Sequence, residues 1–233
     1  MRHAQIERWS RGNSALHRRH AGAKILACLA LLFAIATLSR ASELTCVLYL
    51  ALLIATAFAA RLPARSILKS AAAVLPFALC FAVVTALAGD PGRAAWLVVR
   101  AYLSALAALL LIATTPMPQL IAGLEWLRAP RFLLQVMQFL YRYLIVLMEE
   151  AGAMRLAGSV RAGSIGTLQF RQASSAAGVL FARSYARAQA IHRAMLARGF
   201  DGCLPVFSRM PFRMADAQFL GVAAAFVIVA RIL

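Results

Sequence analysis

The long apolar runs of this chain leave few ways to fold it. Four of them, about Ala21 to Leu38, Leu44 to Ala60, Ser70 to Ala88 and Ala94 to Ile112, follow one another with short breaks, and a fifth, Ala217 to Leu233, closes the sequence. A helix needs about 20 apolar residues, within a range of roughly 17 to 25, to cross a bilayer core, and an open sheet or loop could not satisfy its backbone there. The expected fold is therefore an all-α integral membrane protein with about five transmembrane helices. The 233 residues are 63% hydrophobic and only 14% charged, too apolar for an ordinary soluble domain.

The charged residues orient these runs. There are 25 Lys and Arg against 8 Asp and Glu, and all the basic residues except Lys24 and Lys69 are arginine. A soluble nucleic-acid binder could match that balance, but here the basic residues gather between apolar runs, as in loops held on the cytoplasmic side. Arg2, Arg8, Arg11, Arg18, Arg19 and Lys24 precede or open the first run, Arg40 lies in the next break, Arg61, Arg65 and Lys69 in the one after, and Arg93 in the next. This alternation places the N-terminus in the cytoplasm, makes the lipid bilayer a partner and excludes nucleic acid as one. Residues 1–23 form a basic N-terminal segment without an evident cleavage site, so a removable signal peptide is not expected. Within it, His17 and His20 flank Arg18 and Arg19, which would repel a divalent cation. A basic interfacial segment fits it better than a metal site. Cys28, Cys46 and Cys80 sit within apolar runs and Cys203 stands alone, which suggests packing residues rather than disulfides or a zinc ribbon.

Two polar features interrupt the four-run block, residues 24–115. Pro76 falls inside the third run, where neighbouring helices can satisfy the freed carbonyl. Arg100 stands a couple of turns into the fourth, where an unpaired cation would cost about 2.5 to 3.5 kcal/mol at a helix centre and less near an interface. It either snorkels outward or makes a buried polar contact with a partner protein.

Beyond Thr115 the pattern changes. Residues 116–215 are expected to stay on the cytoplasmic side or at the interface before the final span, 216–233. Leu120, Leu124 and Leu127 share one face of a short interfacial helix. Phe132 to Met148 is apolar nearly all round and could span, but that would put the arginine-rich sequence after it outside. It is read instead as the membrane-buried start of a long helix running through Glu149 and Glu150 towards Arg161. Glu149 and Glu150 point about 100° apart and suit solvent or arginine partners better than acid-base catalysis. Gly163 to Gly166 forms a connection. A second helix then spans Gly178 to Gly202, with Ser174 or Ser175 as N-cap and Gly199 at the C′ position. Its apolar stripe is Phe181, Tyr185, Ala188, Ile191 and Met195, while Arg183, Arg187 and Arg198 follow another face. Such a helix could simply lie on anionic headgroups.

Ala197-Arg198-Gly199 resembles the Ala-Arg-Gly signature of the transmembrane T components of energy-coupling-factor (ECF) transporters. The string through Gly178, Leu180, Phe181, Arg183, Ser184, Arg187, Ala194, Met195 and Gly202 resembles the cobalt-type Q subunit in particular, as do Glu7, Trp9, Ser14, His17 and Lys24 ahead of the first run. Tyr141-Arg142-Tyr143 through Glu149-Glu150, Met154 and Ala157 resembles the first long coupling helix of that family. The resemblance implies that Ala197, Arg198 and Gly199 couple to a cytoplasmic ABC-type ATPase, with Arg183, Arg187, Met195 and Arg142 supporting the coupling helices. Where many T components carry another Ala-Arg-Gly this chain has Val160-Arg161-Ala162, so Arg161 is the candidate for the second contact.

The same resemblance implies a non-enzymatic coupling subunit of the plasma (inner) membrane, partnered by ATPase subunits and a separate membrane substrate-binding (S) component. The cargo would be cobalt, or nickel. No cofactor is expected. The sequence has no phosphate loop, His-Glu-x-x-His site or Gly-x-Ser-x-Gly elbow. The alternative is an autonomous secondary transporter or intramembrane enzyme, which would need acids inside the spans, and the five runs hold none.

Overall fold

A computed structural model of the chain describes Gly12, Ser14 and residues 16–37, 43–162, 166–202 and 213–232. Its helices are α1 (Ala21–Ala36), α2 (Glu43–Ala59), α3 (Ala64–Ala71), α4 (Leu75–Leu87), α5 (Pro91–Thr114), α6 (Met117–Trp126), α7 (Arg131–Ala162), α8 (Gly166–Ala197) and α9 (Met214–Ile232). Among the described residues there is no strand, and the protein is an all-α membrane protein. The chain divides into two compact units, Met1–Arg128 with Ser208–Leu233, and Ala129–Phe207.

Among the described residues, three stretches are long and apolar enough to cross a membrane: Ser66–Leu87, Pro91–Thr114 and Arg131–Val160. Ala21–Ala36, Thr45–Ala59 and Met214–Val229 are shorter apolar helices. The third and fourth expected spans are therefore full-length, and the first, second and last are shorter. The stretch beginning at Arg131, expected to be embedded without crossing, has the length and composition of a span.

In the first unit, α5 packs against α1, α2, α3 and α4, while α1 also meets α6 and α9. The core is built from Ile35, Tyr49, Leu53, Ile67, Leu103, Leu106 and Leu110, with alanines between them. On α4 only Ala78 and Ala82 are buried, one helical turn apart, whereas Phe77 is 70% and Leu87 84% exposed. A seam of small residues with large apolar side chains on the opposite face suits a helix bounded by lipid.

Pro76 is accommodated by a change of helix type. The stretch from Ala64 to Leu87 passes through a 3-10 turn at Ala72–Val74, and Pro76 then sits in the first turn of α4. A proline ring would clash with the carbonyl four residues back, which is Ala72, and the tighter turn begins there. At the end of α2, the Arg61 and Leu62 N–H groups donate to the Phe58 and Ala57 carbonyls at 2.8 and 3.1 Å, with Arg61 at φ 55. This Schellman cap usually has glycine at its left-handed residue.

The short helix expected at the interface packs on α1. Ile121 and Gly123 are buried, and a Cβ built on Gly123 would lie 2.9 Å from the Gly22 nitrogen and 3.0 Å from the Ala21 carbonyl carbon. A Cβ on Gly22 would lie 2.6 Å from Trp126 Cε3. The two glycines let α1 and α6 meet almost backbone to backbone.

Around this contact lies a buried polar network that takes in residues of the basic segment before α1. Ser14, His17, His20, Lys24 and Asp216 are all buried. His17 Nδ1 and Ser14 Oγ are 2.7 Å apart; His20 caps α1 by accepting from the Gly22 N–H at 3.1 Å, and its ring packs edge-on against Trp126. Lys24 Nζ donates to the His17 carbonyl, the Thr114 carbonyl and Thr115 Oγ1 at 3.2, 3.1 and 3.4 Å. Asp216 accepts from the His20 and Arg213 backbone N–H groups at 3.1 and 3.0 Å. Cys28 contacts the Ala107 carbonyl at 3.7 Å, and Cys46 and Cys80 are free thiols.

Because backbone atoms cannot step aside, Gly123→Ala is expected to lower stability by about 1 to 3 kcal/mol. Thermal melts of the purified protein in detergent check this, and an unchanged midpoint would show that α1 and α6 can separate freely.

Candidate functional site

The second unit is an antiparallel hairpin of two 32-residue helices, α7 and α8, each roughly 48 Å long at 1.5 Å per residue. The single long α7 agrees with the sequence pattern. α8 differs: it starts at Gly166 rather than Gly178, so Ser174 and Ser175 lie inside it and do not cap it. The intervening sequence carries Leu, Gln, Arg and Ala and no proline, so nothing there stops a helix. Of the expected connection Gly163 to Gly166, residues 163–165 lie outside the described residues and Gly166 opens α8.

The apolar stripe of α8 faces α7 as its spacing requires. Phe181, Tyr185, Ala188, Ile191 and Met195 line a cavity of about 550 Å³ with Phe132, Val136, Phe139, Leu140, Tyr143 and Leu147 of α7. Residues three and four apart on each helix thus form the two walls. Phe139 stacks on Tyr143 and Phe181 on Tyr185, with ring centroids 6.3 and 6.5 Å apart.

Polar contacts fix the register of the pair. Glu150 Oε1 accepts from Arg183 at 3.1 Å, and Arg187 lies 3.8 Å from Glu150 Oε2. Arg183 and Arg187 are one turn apart, so one carboxylate on α7 serves both. At the other end, the Gln135 side-chain amide donates to the Gly202 carbonyl. Arg142 does not join this bridge; its guanidinium carbon lies 6.0 Å from the centre of the adjacent Tyr143 ring.

The end of α8 shows why the Ala197-Arg198-Gly199 sequence suits that place. Gly199 has φ 78, its N–H donates to the Leu196 carbonyl at 3.0 Å, and the Phe200 N–H donates to the Met195 carbonyl at 3.0 Å. These two bonds make a Schellman cap with Gly199 at C′, and Phe200 and Met195 both line the cavity just beyond it. Arg198 is the last residue before the left-handed turn, and its side chain is exposed. A cation here also faces the negative end of the helix dipole.

The structure does not bring Arg161 and Arg198 together. Gln135, beside the end of α8, is 26 residues from Arg161, so the two arginine positions stand roughly 39 Å apart along the hairpin. The side chain of Arg161 lies outside the described residues. Gln135 lies within the run Phe132 to Met148, where its contact with Gly202 was not foreseen. Its signal was an amide on a stripe otherwise suited to packing. No group of three His, Cys, Asp or Glu residues that could hold a metal occurs among the described residues.

Residues 12–208 match the CbiQ family, described as a cobalt transport protein. The chain belongs to the CbiQ family. Among curated relatives it is 32% identical over 122 residues to "Cobalt transport protein CbiQ" of Rhodobacter capsulatus, covering 52% of this chain and 50% of that protein. It is 31% identical over 121 residues to a "Putative fused cobalt transport protein CbiMQ" of Methanocorpusculum labreanum, covering 51% of this chain and 19% of the relative. The chain thus spans at most half the length of these CbiQ relatives. The match extends across both units, so the α7–α8 hairpin and its Ala197-Arg198-Gly199 end lie within the CbiQ region.

Two outcomes follow from this geometry. Gly199→Ala places a Cβ in a left-handed conformation and is expected to cost about 1 to 2 kcal/mol, visible as faster amide hydrogen exchange at 195–200. Glu150→Ala is expected to lower stability by no more than about 1 kcal/mol, because Arg183 and Arg187 are 62% and 44% exposed; a larger loss in a denaturation series would mean that the ion pair outweighs the apolar stripe.

Proposed function

We propose that this protein is the transmembrane coupling component of an ECF-type importer for cobalt, or nickel, and conveys movement from ATPase subunits to a separate membrane subunit that binds the cargo. The carrying observation is the exposed Arg198, set by a glycine-dependent cap at the end of a 32-residue helix in a chain of the CbiQ family. The names of the similar proteins support cobalt as cargo, and the fused CbiMQ relative supports work alongside another membrane component. In this reading the N-terminus is cytoplasmic, the hairpin is cytoplasmic or interfacial with the start of α7 embedded in the membrane, and the protein is not itself the enzyme that hydrolyses ATP.

The mechanism follows from the shape of the hairpin. An arginine at a helix tip offers a planar, permanently charged fork to acidic groups in an ATPase groove, where paired hydrogen bonds fix orientation as well as position. Arg198 holds one such groove and Arg161, at the opposite end, the other. Nucleotide-driven approach or separation of the grooves then moves both ends of one packed pair of helices. Arg183, Arg187 and Met195 keep the pair in register through Glu150 and the apolar stripe, and Arg142 braces Tyr143 in the facing wall.

Arg198→Ala is expected to leave membrane insertion and the melting temperature unchanged while reducing ATPase recovered with the tagged protein by about tenfold or more, the worth of a charge-assisted hydrogen bond. Full ATPase recovery together with normal cobalt uptake in that variant would falsify the coupling role.

A further inference from the structure

The seam between α7 and α8 joins two surfaces of opposite character. Over Phe132 to Met148, α7 is apolar nearly all round and belongs to a stretch long and apolar enough to cross a membrane. α8 carries four arginines and no Asp or Glu, and Arg198 follows at its end. Acyl chains suit the first surface and lipid phosphates the second. Between them runs the groove of about 550 Å³, within the roughly 300 to 1,000 Å³ of small-molecule sites. It is open to an outside occupant. Phe132 on one wall is 77% exposed and Phe181 on the other 73%, and Leu140 and Tyr185 are exposed with them. So much bare aromatic and aliphatic surface marks a binding site or a lipid contact.

The polar groups in the lining narrow the choice. Ser184 and Gln135 are engaged within the hairpin, donating to the Phe181 and Gly202 carbonyls. Arg187 and His192 are exposed, and Arg187 approaches Glu150 Oε2 only to 3.8 Å, beyond hydrogen-bond distance. Its N–H groups remain for another anion, while Glu150 is matched by Arg183 at 3.1 Å. The second unit carries nine arginines against three acids, so the surrounding field favours a negative group. An occupant matched to this lining is apolar along most of its length and anionic at one end. A nucleotide lacks the tail, and a metal ion would meet cations.

We propose that the groove binds an anionic phospholipid, with an acyl chain between the aromatic walls and the phosphate on Arg187 and His192. The guanidinium offers the phosphate oxygens charge-assisted hydrogen bonds, and the chain fills space that the two apolar stripes leave open. A ligand held by both helices of the folded hairpin stabilises it by mass action. The site needs only the membrane setting and the hairpin's own lining, so it stands apart from the coupling role.

The test uses the purified full-length protein, stripped of lipid in non-ionic detergent and titrated with phosphatidylglycerol or phosphatidylcholine of equal chain length, each with a photoreactive acyl chain. Phosphatidylglycerol should raise the melting temperature and label peptides 132–147 and 181–195. Phosphatidylcholine should bind about tenfold more weakly, the worth of a charge-assisted hydrogen bond. Ala188→Phe, which puts a ring into the groove, should abolish labelling by both lipids. Arg187→Gln combined with His192→Gln should keep the labelling and remove the preference for phosphatidylglycerol, which tests the headgroup contact even if the phenylalanine variant fails to fold. Equal binding of the two lipids by the wild-type protein overturns the proposal, as does unchanged labelling in folded Ala188→Phe. A full thermal shift from inorganic phosphate alone also overturns it, because the tail would then be idle. Loss of groove labelling in the complex with ATPase and membrane partners, with a partner peptide crosslinked at position 188 instead, overturns it in favour of a protein docking surface. Since the first measurements use the isolated protein, failure of the coupling role leaves their outcome unchanged.

Discussion

The first unit depends on how a buried ammonium group is satisfied. Lys24 lies in the first turn of an apolar helix, 4% exposed, and three acceptors take up its three protons. They come from the segment before α1 and from the junction of α5 with α6. A charge out of water is tolerated only when its hydrogen bonds are complete, so these pieces of chain must stay together. Asp216 acts in the same way at the start of α9, receiving the His20 N–H that immediately precedes α1. The close approach at Gly22 and Gly123 is what lets α6 lie beside that junction.

The second unit is held differently. Its two long helices meet through aromatic and aliphatic stripes, and charge contributes mainly at Glu150, where two exposed arginines share one carboxylate. Such a pair sets register at small energetic worth. The apolar walls border an open groove rather than a filled core, so stiffness along the hairpin comes from the continuous backbone hydrogen bonding of the helices themselves. The cap at Gly199 fixes one end of the hairpin without enlarging the interface between its helices.

Much of this was legible because helices are local objects. The stripe Phe181, Tyr185, Ala188, Ile191 and Met195 is a matter of spacing, and Gly199 is recognisable as the residue able to take a left-handed turn. Boundaries were harder. Ser174 and Ser175 looked like caps because serine favours that place, but capping is a preference and a helix continues when nothing opposes it. Pro76 was legible as a disturbance, though not as the cause of a 3-10 turn ending two residues before it. The burial of His20 was not legible, because Asp216, which accepts from its N–H, lies far along the chain.

Membrane class, the helical periods, the long α7 and the capped arginine at position 198 are all written in composition or in residues within a turn or two of one another. Folding alone brings Lys24 to Thr114, 90 residues away, His20 to Asp216, 196 residues away, and Gln135 to Gly202. It also encloses Arg100 Nε with no hydrogen-bond partner among the described residues. Periodicity fixes which face of a helix is apolar, but which polar groups find partners on other helices depends on packing geometry that no local pattern encodes.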